Sequence, residues 1–302
     1  MSKDTNLFGK TVAAIEKEFG KGSIFLLGDD SHKQNVNVYS SGSIILNHLL
    51  GINGFPRGRL LEIFGPEAGG KTTLALHAIA EVQKSKGKVM YIDAEHALDP
   101  KYAEKIGVDI ANLFVSQPDS GEQAFEIIRF MLENEDLNLI VVDSVAALVP
   151  QAELNGDMET YVVGSQARMM SANLRKINTL LAKTETTILF INQVREKIGV
   201  VYGNPEVTPG GRALKFYASI RIDVRRGGKI KLGNEIIGQD VKLKVVKNKL
   251  AAPFKIGVTQ IIYGDGICPA NELILVALEL GIIKKKGIWY YFDTITLGQG
   301  KE

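Results

Sequence analysis

Residues 60–80, LLEIFGPEAGGKTTLALHAIA, decide the fold, because they join a short apolar run to a glycine-rich loop and then to an amphipathic helix. Residues 65–72, GPEAGGKT, match the pattern G-x-x-x-x-G-K-[ST]. In such a loop the backbone N–H groups and the N-terminus of the following helix surround the phosphate groups of a nucleotide. The strand before it and the helix after it are the context that this pattern requires, so the stretch predicts a phosphate-binding loop.

The residue types in and around this loop predict where ATP and Mg²⁺ bind. The ammonium of Lys71 suits the β- and γ-phosphate oxygens, and the hydroxyl of Thr72 suits Mg²⁺, which prefers hard oxygen ligands. Asp143 follows the apolar run 139–142, and a carboxylate at the carboxyl end of a buried parallel strand lies beside the phosphate loop. We therefore expect Thr72 and Asp143 at the metal. The expected nucleotide contacts within the loop are Gly65, Pro66, Glu67, Ala68, Gly69, Gly70, Lys71, Thr72 and Thr73.

Apolar segments that alternate with helical patterns indicate an α/β fold. The segments read as buried strands are 60–64, 89–92, 114–115, 139–142 and 187–191. Helical patterns separate them, and one of these starts at Ser120 with Gln123 three residues later, as in a capping box. Such alternation predicts a largely parallel, twisted sheet with helices on both faces.

The pattern changes beyond residue 217. Apolar residues at 220, 222 and 224, and again at 241, 243 and 245, alternate with polar ones. A period of two is typical of strands with one solvated face, so we expect antiparallel strands to be added to the parallel sheet.

Composition excludes several classes of protein. The chain has 302 residues, 45% of them apolar and 23% charged, which is ordinary for one large globular domain with attachments. Cys268 is the only cysteine, which excludes an intrachain disulfide and a zinc site built on several thiolates. No apolar run approaches the ~20 residues of a membrane-spanning helix, and the N-terminal residues contain no signal-peptide stretch. We expect a cytoplasmic protein without a membrane partner.

Basic residues are concentrated in one part of the chain. The net charge is +2, yet residues 212–255 carry 12 Lys or Arg against three acidic residues, which gives this segment a charge of +9. The remaining residues therefore sum to −7. Two interpretations stay open, a solvated strand surface and a face that binds an anionic partner.

Seven motifs resemble one family in their order along the chain. They are GPEAGGKTT (65–73), YIDAEHALDP (91–100), IVVDSVAAL (140–148), QARMMSANLRK (166–176), FINQVREKIGV (190–200), GGRALKFYASIR (210–221) and KVVKNKLAAPFK (244–255). Together they resemble the RecA recombinase family over nearly the whole chain. The resemblance implies a RecA-like ATPase core that uses ATP and Mg²⁺ in DNA recombination, DNA repair and the SOS response. The partners it implies are single-stranded DNA, double-stranded DNA, further copies of the chain in a head-to-tail helical filament, and a LexA-type repressor whose self-cleavage is promoted.

The resemblance also assigns roles around the nucleotide. It implies that Glu95 activates the attacking water and that Gln193 senses the γ-phosphate. Together with Lys71, these are the catalytic residues that one chain supplies to its own nucleotide. Lys247 and Lys249 match lysines that reach the nucleotide of the adjacent subunit. Asp99 and Tyr102 match the family's adenine contacts.

A long segment rich in glycine and proline, residues 194–212, is predicted to be an irregular functional loop. The resemblance implies that this loop and an earlier one, at about residues 155–164, hold single-stranded DNA. The matching contacts are Arg168, Ser171, Arg175, Lys197, Ile198, Gly210, Gly211 and Arg212. Residues 159–164 read ETYVVG where the family is close to GDSHVG, so the resemblance assigns no contact before Val163 in the earlier loop.

The resemblance divides the chain into three parts. Residues 1–32 are expected to be an N-terminal oligomerisation helix and linker, 33–268 the ATPase core with its DNA-binding loops, and 269–302 a partial, truncated C-terminal α+β lobe. A ring helicase or motor of the same core fold would share Lys71, Asp143 and Gln193, but is expected to lack the KVVKNK and KIGV segments. A filament that acts mainly as a regulatory scaffold is the other alternative.

Overall fold

The structure is a computed structural model of the chain, and it describes residues 3–24, 36–134, 137–156, 164–197, 199, 203 and 205–299. One compact unit ends at Asn37 and a second, much larger one begins at Val38. In the described residues, no helix combines the length and the apolar character needed to cross a membrane.

The smaller unit contains helix α1, Lys3–Phe19. It ends at Gly20, which has a φ of 98° and whose N–H donates to the carbonyl oxygen of Glu16. A left-handed residue directly after the last turn is the usual end of a helix. The side chains of Phe8 and Phe19 are 66% and 71% exposed.

Helices and strands alternate along the larger unit. The helices are α2 Ile44–Leu50, α3 Lys71–Lys84, α4 Pro100–Ile106, α5 Gly121–Asn134, α6 Gln151–Leu154, α7 Ser165–Leu181, α8 Ala213–Tyr217 and α9 Pro269–Glu279. The strands of the first half are β1 Val38–Tyr39, β2 Phe55–Pro56, β3 Leu60–Gly65, β4 Val89–Asp93, β5 Leu113–Ser116, β6 Leu139–Asp143 and β7 Thr187–Gln193. Those of the second half are β8 Arg195–Glu196, β9 Glu206–Val207, β10 Ile220–Leu232, β11 Glu235–Asn248, β12 Ile256–Ile262, β13 Gly266–Ile267, β14 Ile283–Lys286, β15 Trp289–Phe292 and β16 Ile295–Gln299.

A nine-stranded sheet organises the described residues of this unit, in the order β13-β12-β11-β10-β3-β7-β6-β4-β5. The six strands from β10 to β5 pair in parallel. Every residue of β3, β4 and β6 is buried, because helices cover both faces of the parallel strands. The predicted parallel sheet is confirmed. At its edge, β5 exposes Phe114 and Val115.

Strands β10 to β13 extend the sheet in antiparallel pairs. The apolar residues of the predicted period of two are completely buried, and they are Ile220, Ile222, Val224, Val241, Leu243 and Val245. The residues between them are more exposed. The antiparallel addition predicted from the alternation is therefore confirmed.

Each face of the sheet packs on its own hydrophobic core. Helices α2 and α3 supply one core, which includes Leu46, Leu74 and Ile79. Helices α5 and α7 supply the other. Helix α5 begins at Gly121, where the Ser120 hydroxyl accepts from the N–H of Gln123 and the Gln123 amide oxygen accepts from the N–H of Asp119. The carboxyl ends of the parallel strands thus lie side by side at one end of the sheet, between two layers of helices.

The chain ends in helix α9 and a three-stranded antiparallel sheet, β14-β15-β16. Glu272 of α9 is 1% exposed and accepts hydrogen bonds from the Ser43 hydroxyl, the Ile44 N–H and the Thr259 hydroxyl, at 2.6, 2.6 and 2.5 Å. These bonds fasten α9 to the start of α2 and to β12. Trp289 lies on the middle strand of the small sheet and is 41% exposed.

Candidate active site and nucleic-acid interface

The phosphate loop leaves the carboxyl end of β3, between β7 and β10, and enters α3 at Lys71. A Cβ atom on Gly65 would collide with the carbonyl oxygen of Val224, so this position needs a glycine. Gly70 has a φ of 92°, and a Cβ there would lie 2.4 Å from Cδ1 of Ile261. The loop is therefore packed tightly against the antiparallel half of the sheet, which fixes the direction of its N–H groups.

Lys71 lies inside the loop that it is expected to serve. Its side chain is 8% exposed, and Nζ donates to the carbonyl oxygen of Pro66 at 2.6 Å. Burial lowers the pKa of Lys71, and three nearby carboxylates, Asp143 first among them, oppose this. A bound triphosphate would add negative charge and favour the ammonium form.

Thr72 and Asp143 are brought together as predicted. The Thr72 hydroxyl donates to Oδ2 of Asp143 at 2.7 Å, and the Tyr91 hydroxyl donates to the same oxygen at 2.8 Å. Burial raises the pKa of Asp143, and these two hydrogen bonds oppose the rise. Burial, and then the charge of Asp143, raise the pKa of Tyr91 far above its usual range, so Tyr91 stays a hydrogen-bond donor.

Glu95 and Gln193 also meet, although they are 98 residues apart in sequence. Gln193 Nε2 donates to Oε1 of Glu95 at 2.9 Å, and the Ser144 hydroxyl donates to the same oxygen. The loop that carries Glu95 is anchored by Asp93, whose carboxylate accepts from the N–H groups of residues 97 and 98. One oxygen of Glu95 is thus held, while its loop is fixed at the carboxyl end of β4.

A cavity of ≈ 350 Å³ opens beside the loop. It is lined by Ala68, Gly69, Gly70, Lys71, Thr72, Thr73, Tyr102, Gln239, Ile261, Tyr263 and Gly264. The Tyr102 hydroxyl hydrogen-bonds the Thr73 hydroxyl at 3.0 Å, which holds its ring at the cavity. Asp99 caps the start of α4, where its Oδ1 accepts from the N–H of Lys101 at 2.9 Å. The adenine contact expected for Asp99 stays a prediction.

Helix α7 presents the predicted DNA-binding residues on one face. Arg168, Ser171 and Arg175 are exposed, while Met170 and Leu174 face the core. Lys197 and Arg212 are exposed as well, and Ile198 lies outside the described residues. Gly210 and Gly211 have φ values of 83° and 77° and form a turn against the start of α7.

Residues 194–212 are less irregular than predicted, because their described part contains a short ladder. Strand β8 pairs with β9, and the N–H of Lys197 donates to the carbonyl oxygen of Pro205 at 2.9 Å. Arg225 donates to both carboxylate oxygens of Glu206 and also to Asp223. These charge-assisted hydrogen bonds tie the base of the loop to β10.

The comparisons with known proteins agree with this geometry. A sequence profile of the RecA N-terminal domain matches residues 6–268, and one of the RecA C-terminal domain matches residues 271–302. Protein RecA of Mycoplasma mobile is 57% identical over 287 residues, which are 95% of this chain and 86% of that protein. Protein RecA of Thermus thermophilus is 56% identical over 290 residues, 96% of this chain and 85% of that protein. The chain belongs to the RecA family.

Membership of the RecA family decides the class of activity. RecA-family proteins are single-stranded-DNA-dependent ATPases that catalyse strand exchange in homologous recombination and DNA repair, and they act as filaments. The predicted RecA-like α/β fold is confirmed. The ring-helicase alternative is set aside, because the identity extends through the KIGV and KVVKNK segments and across both RecA domains.

Lys247 and Lys249 lie beside helix α8 and not at the phosphate loop of their own chain. Lys247 Nζ donates to the carbonyl oxygens of Lys215 and Phe216 at 2.6 and 3.0 Å, and Lys249 Nζ donates to that of Phe216 at 3.2 Å. Burial lowers the pKa of Lys247, and repulsion from Lys249 adds to this. Both ammonium groups therefore cap the C-terminal end of α8. Their contact with an adjacent subunit's nucleotide stays a prediction.

Three site residues were not identified from the sequence. Tyr91 and Ser144 lie inside motifs that the sequence analysis quoted, but their contacts with Asp143 and Glu95 need the folded sheet. Gln239 is 4% exposed; its Nε2 donates to the carbonyl oxygen of Ala68 at 2.8 Å. Its Oε1 accepts from the Tyr263 hydroxyl at 3.2 Å. The sequence signal that could have identified Gln239 is its place in the period of two, because it lies on the same buried face of β11 as Val241.

Proposed function

We propose that this RecA-family chain binds Mg–ATP in the cavity beside residues 65–73 and couples its hydrolysis to the binding of single-stranded DNA. The observation that carries the proposal is the contact between Gln193 and Glu95. Gln193 ends β7, and the loop expected to bind DNA begins at the next residue. A change at the γ-phosphate that alters this contact is therefore transmitted directly to that loop.

The residues at the loop fit a magnesium ion. Thr72 and Asp143 offer neighbouring oxygen atoms, the ligand type that Mg²⁺ prefers, and the phosphates and water supply the rest of its shell. Bound there, the ion would offset the negative charge of the phosphates. Lys71 adds a second positive charge from the loop side. Glu95, with one oxygen held by Gln193 and Ser144, orients the attacking water with the other.

The exposed face of α7 supports binding of DNA without regard to sequence. Arg168 and Arg175 are seven residues apart and project from the same side of the helix. Contacts of this type neutralise phosphates and read no bases, so the choice of partner strand is left to base pairing. The turn at Gly210 and Gly211 lies against the start of the same helix.

Assembly is the third part of the proposal. We propose residues 1–32 as the oligomerisation segment, 33–268 as the ATPase core and 269–302 as the C-terminal lobe. The exposed Phe8 and Phe19 of α1 support a docking role for that helix in a head-to-tail filament. Lys247 and Lys249 would then reach the nucleotide of the neighbouring copy, where a positive charge stabilises the transferring phosphoryl group.

The C-terminal sheet supports a second contact, with duplex DNA. Lysines occupy positions 284, 285 and 286 of β14. Nζ of Lys285 lies 5.5 Å from the centre of the Tyr290 ring on the neighbouring strand. Side chains alternate between the two faces of a strand, so Lys284 and Lys286 share one face, where Tyr291 lies beside them, and such a pair is suited to a phosphate backbone.

The test is ATP hydrolysis with and without single-stranded DNA, combined with electron microscopy. We expect DNA to stimulate hydrolysis and ATP to support filaments. Lys71→Ala should abolish hydrolysis, because it removes the ammonium from the phosphate loop, whereas Lys84→Ala, at the exposed end of the same helix, should retain it. A wild-type chain without DNA stimulation and without filaments would contradict the proposal.

A further inference from the structure

Gln166 joins two segments that the sequence separates widely. Its Nε2 donates to the carbonyl oxygens of Val145 and Leu148 at 2.9 and 3.1 Å. Its Oε1 accepts from the N–H of Gly210 at 3.1 Å. The single side-chain amide, near the start of α7, therefore holds a segment after β6 and the turn at the end of the proposed DNA-binding loop.

The first of these segments begins at the nucleotide site. Ser144, whose hydroxyl donates to Glu95, directly precedes Val145, and a short 3-10 helix covers Val145–Ala147. Val145 is completely buried. A displacement of Ser144 by the state of Glu95 would therefore move the carbonyl groups that Gln166 binds.

The second segment is in close contact with the same elements. A Cβ atom on Gly210 would lie 3.0 Å from Cγ1 of Val145, and one on Gly211 would lie 2.7 Å from Cβ of Ala167. The glycine turn thus lies directly on Val145 and on the first turn of α7. Arg168, the first exposed arginine of that helix, follows Gln166 by two residues.

We propose that Gln166 is a positioning residue that connects the Glu95 end of the ATP site to the Gly210–Gly211 turn and thereby couples DNA binding to ATP hydrolysis. The coupling runs in addition to the one through Gln193. It rests on the proposed function, because it takes the glycine turn and α7 as the DNA-binding surface.

An amide is the side chain that can make all three bonds, since it carries two donor hydrogens and an acceptor oxygen. A glutamate at this position retains the shape and the acceptor for the Gly210 N–H. It places a carboxylate oxygen against the two carbonyl oxygens, which repels the ATP-site segment. A leucine has a similar volume and makes none of the bonds. Both replacements therefore remove the ATP-site contact, and only leucine also removes the bond to Gly210.

The experiment compares Gln166→Leu and Gln166→Glu with the wild-type chain. Gln83→Leu is the matched control, because Gln83 also uses both ends of its amide: it donates to the carbonyl oxygen of Asp109 and accepts from the Asp109 N–H, at the end of α3 opposite the phosphate loop. For each protein, ATP hydrolysis is measured without DNA and across a titration of single-stranded DNA, and DNA affinity is measured with ATP and with ADP. Thermal unfolding is recorded in parallel.

Both Gln166 variants are expected to hydrolyse ATP without DNA within about twofold of wild type, and the control is expected to behave as wild type. Stimulation by DNA should fall by about tenfold or more in both variants. The ratio of DNA affinities in ATP and ADP should fall as well, because the same side chain connects the nucleotide site to the DNA-binding turn. A residue that only stabilised the fold would lower the unfolding midpoint and leave these ratios unchanged.

Two results would overturn the inference, namely full DNA stimulation in Gln166→Leu, or a loss of DNA-independent hydrolysis in proportion to the stimulated rate. If Gln166→Leu does not fold, the same two results in Gln166→Glu decide the matter. Absence of stimulation in the wild-type chain would instead contradict the proposed function, so the two failures are distinguishable.

Discussion

Gln239 shows what a single buried amide does for the phosphate loop. Ala68 has a φ of 55°, a left-handed conformation that a residue with a Cβ adopts at some cost. The hydrogen bond from Gln239 to its carbonyl oxygen holds this conformation, and the bond from Tyr263 fixes the other end of the amide. The loop and the wall of the cavity are thereby set in one geometry before nucleotide enters.

Gln239→Ala is therefore expected to weaken ATP binding more than catalysis. The KM for ATP should rise about tenfold, equivalent to about 1.4 kcal/mol, while kcat stays within about twofold because the groups around Glu95 are untouched. Tyr263→Phe should give a smaller change of the same kind. Steady-state ATP hydrolysis measures both constants. Gln260→Ala on the adjacent strand is the control, since Gln260 bonds Asp240 outside the cavity. An unchanged KM in Gln239→Ala would refute the role.

At single residues, the sequence predicts the site where the residues lie within a motif or, like Asp143, at the carboxyl end of an apolar strand. Residues 65–73 are such a case, because the chain path alone brings them together. The bonds made by Gln166 to Gly210 and by Gln239 to Ala68 span 44 and 171 residues. Side-chain contacts of this separation depend on strand order and register, which no local pattern contains.

Helix α3 contains a titratable group that makes the stability of the chain depend on pH. His77 Nε2 accepts from the N–H of Ile267 at 2.8 Å, which requires the neutral imidazole. Burial, and then repulsion from Lys84, lower the pKa of His77 from 6.5 to about 4. Between these two pH values the unfolded chain binds a proton that the folded chain does not, so the stability falls as the pH falls.

We expect the free energy of unfolding to lose about 3 kcal/mol from this group between pH 6.5 and pH 4. Above pH 6.5 the contribution of His77 is constant. Urea denaturation at several pH values measures the slope, and His77→Gln should remove part of it. His48→Gln, which changes an exposed histidine of α2, is the matched control. Parallel pH curves for wild type and His77→Gln would contradict this expectation.

Elements were predictable where a strand is buried on both faces. Strands β3, β4, β6 and β7 appear in the sequence as continuous apolar runs, since helices cover both of their sides. The ladder of β8 and β9 was not predictable. Its residues, Arg195–Glu196 and Glu206–Val207, have no period of two, and the side chain that ties β9 to β10, Arg225, lies outside the loop.

Over the whole molecule, Glu272 connects parts of the chain that lie more than 200 residues apart. Glu272→Ala would remove the acceptor of the Ile44 N–H and would leave the hydroxyls of Ser43 and Thr259, both completely buried, without their acceptor. Each such group costs about 1–3 kcal/mol. We expect a loss of roughly 3 kcal/mol or more in the free energy of unfolding, measured by denaturant titration.

Glu279→Ala is the control for this change, because Glu279 is an exposed glutamate at the end of the same helix. It should unfold within about 0.5 kcal/mol of wild type. Equal stability of the Glu272 and Glu279 variants would show that α9 is held by its apolar contacts alone.

Trp289 is the only tryptophan in the chain, and it lies on β15 of the small C-terminal sheet. Tryptophan emission from this protein therefore reports on that sheet and not on the nine-stranded sheet. Denaturation followed by emission would record this sheet, whereas circular dichroism would record the whole chain, and a separation of the two curves would measure how independently the C-terminal sheet melts. The chain thus carries its own fluorescent reporter, one strand away from the lysines of β14, and nucleic acid arriving there can be followed without an added dye.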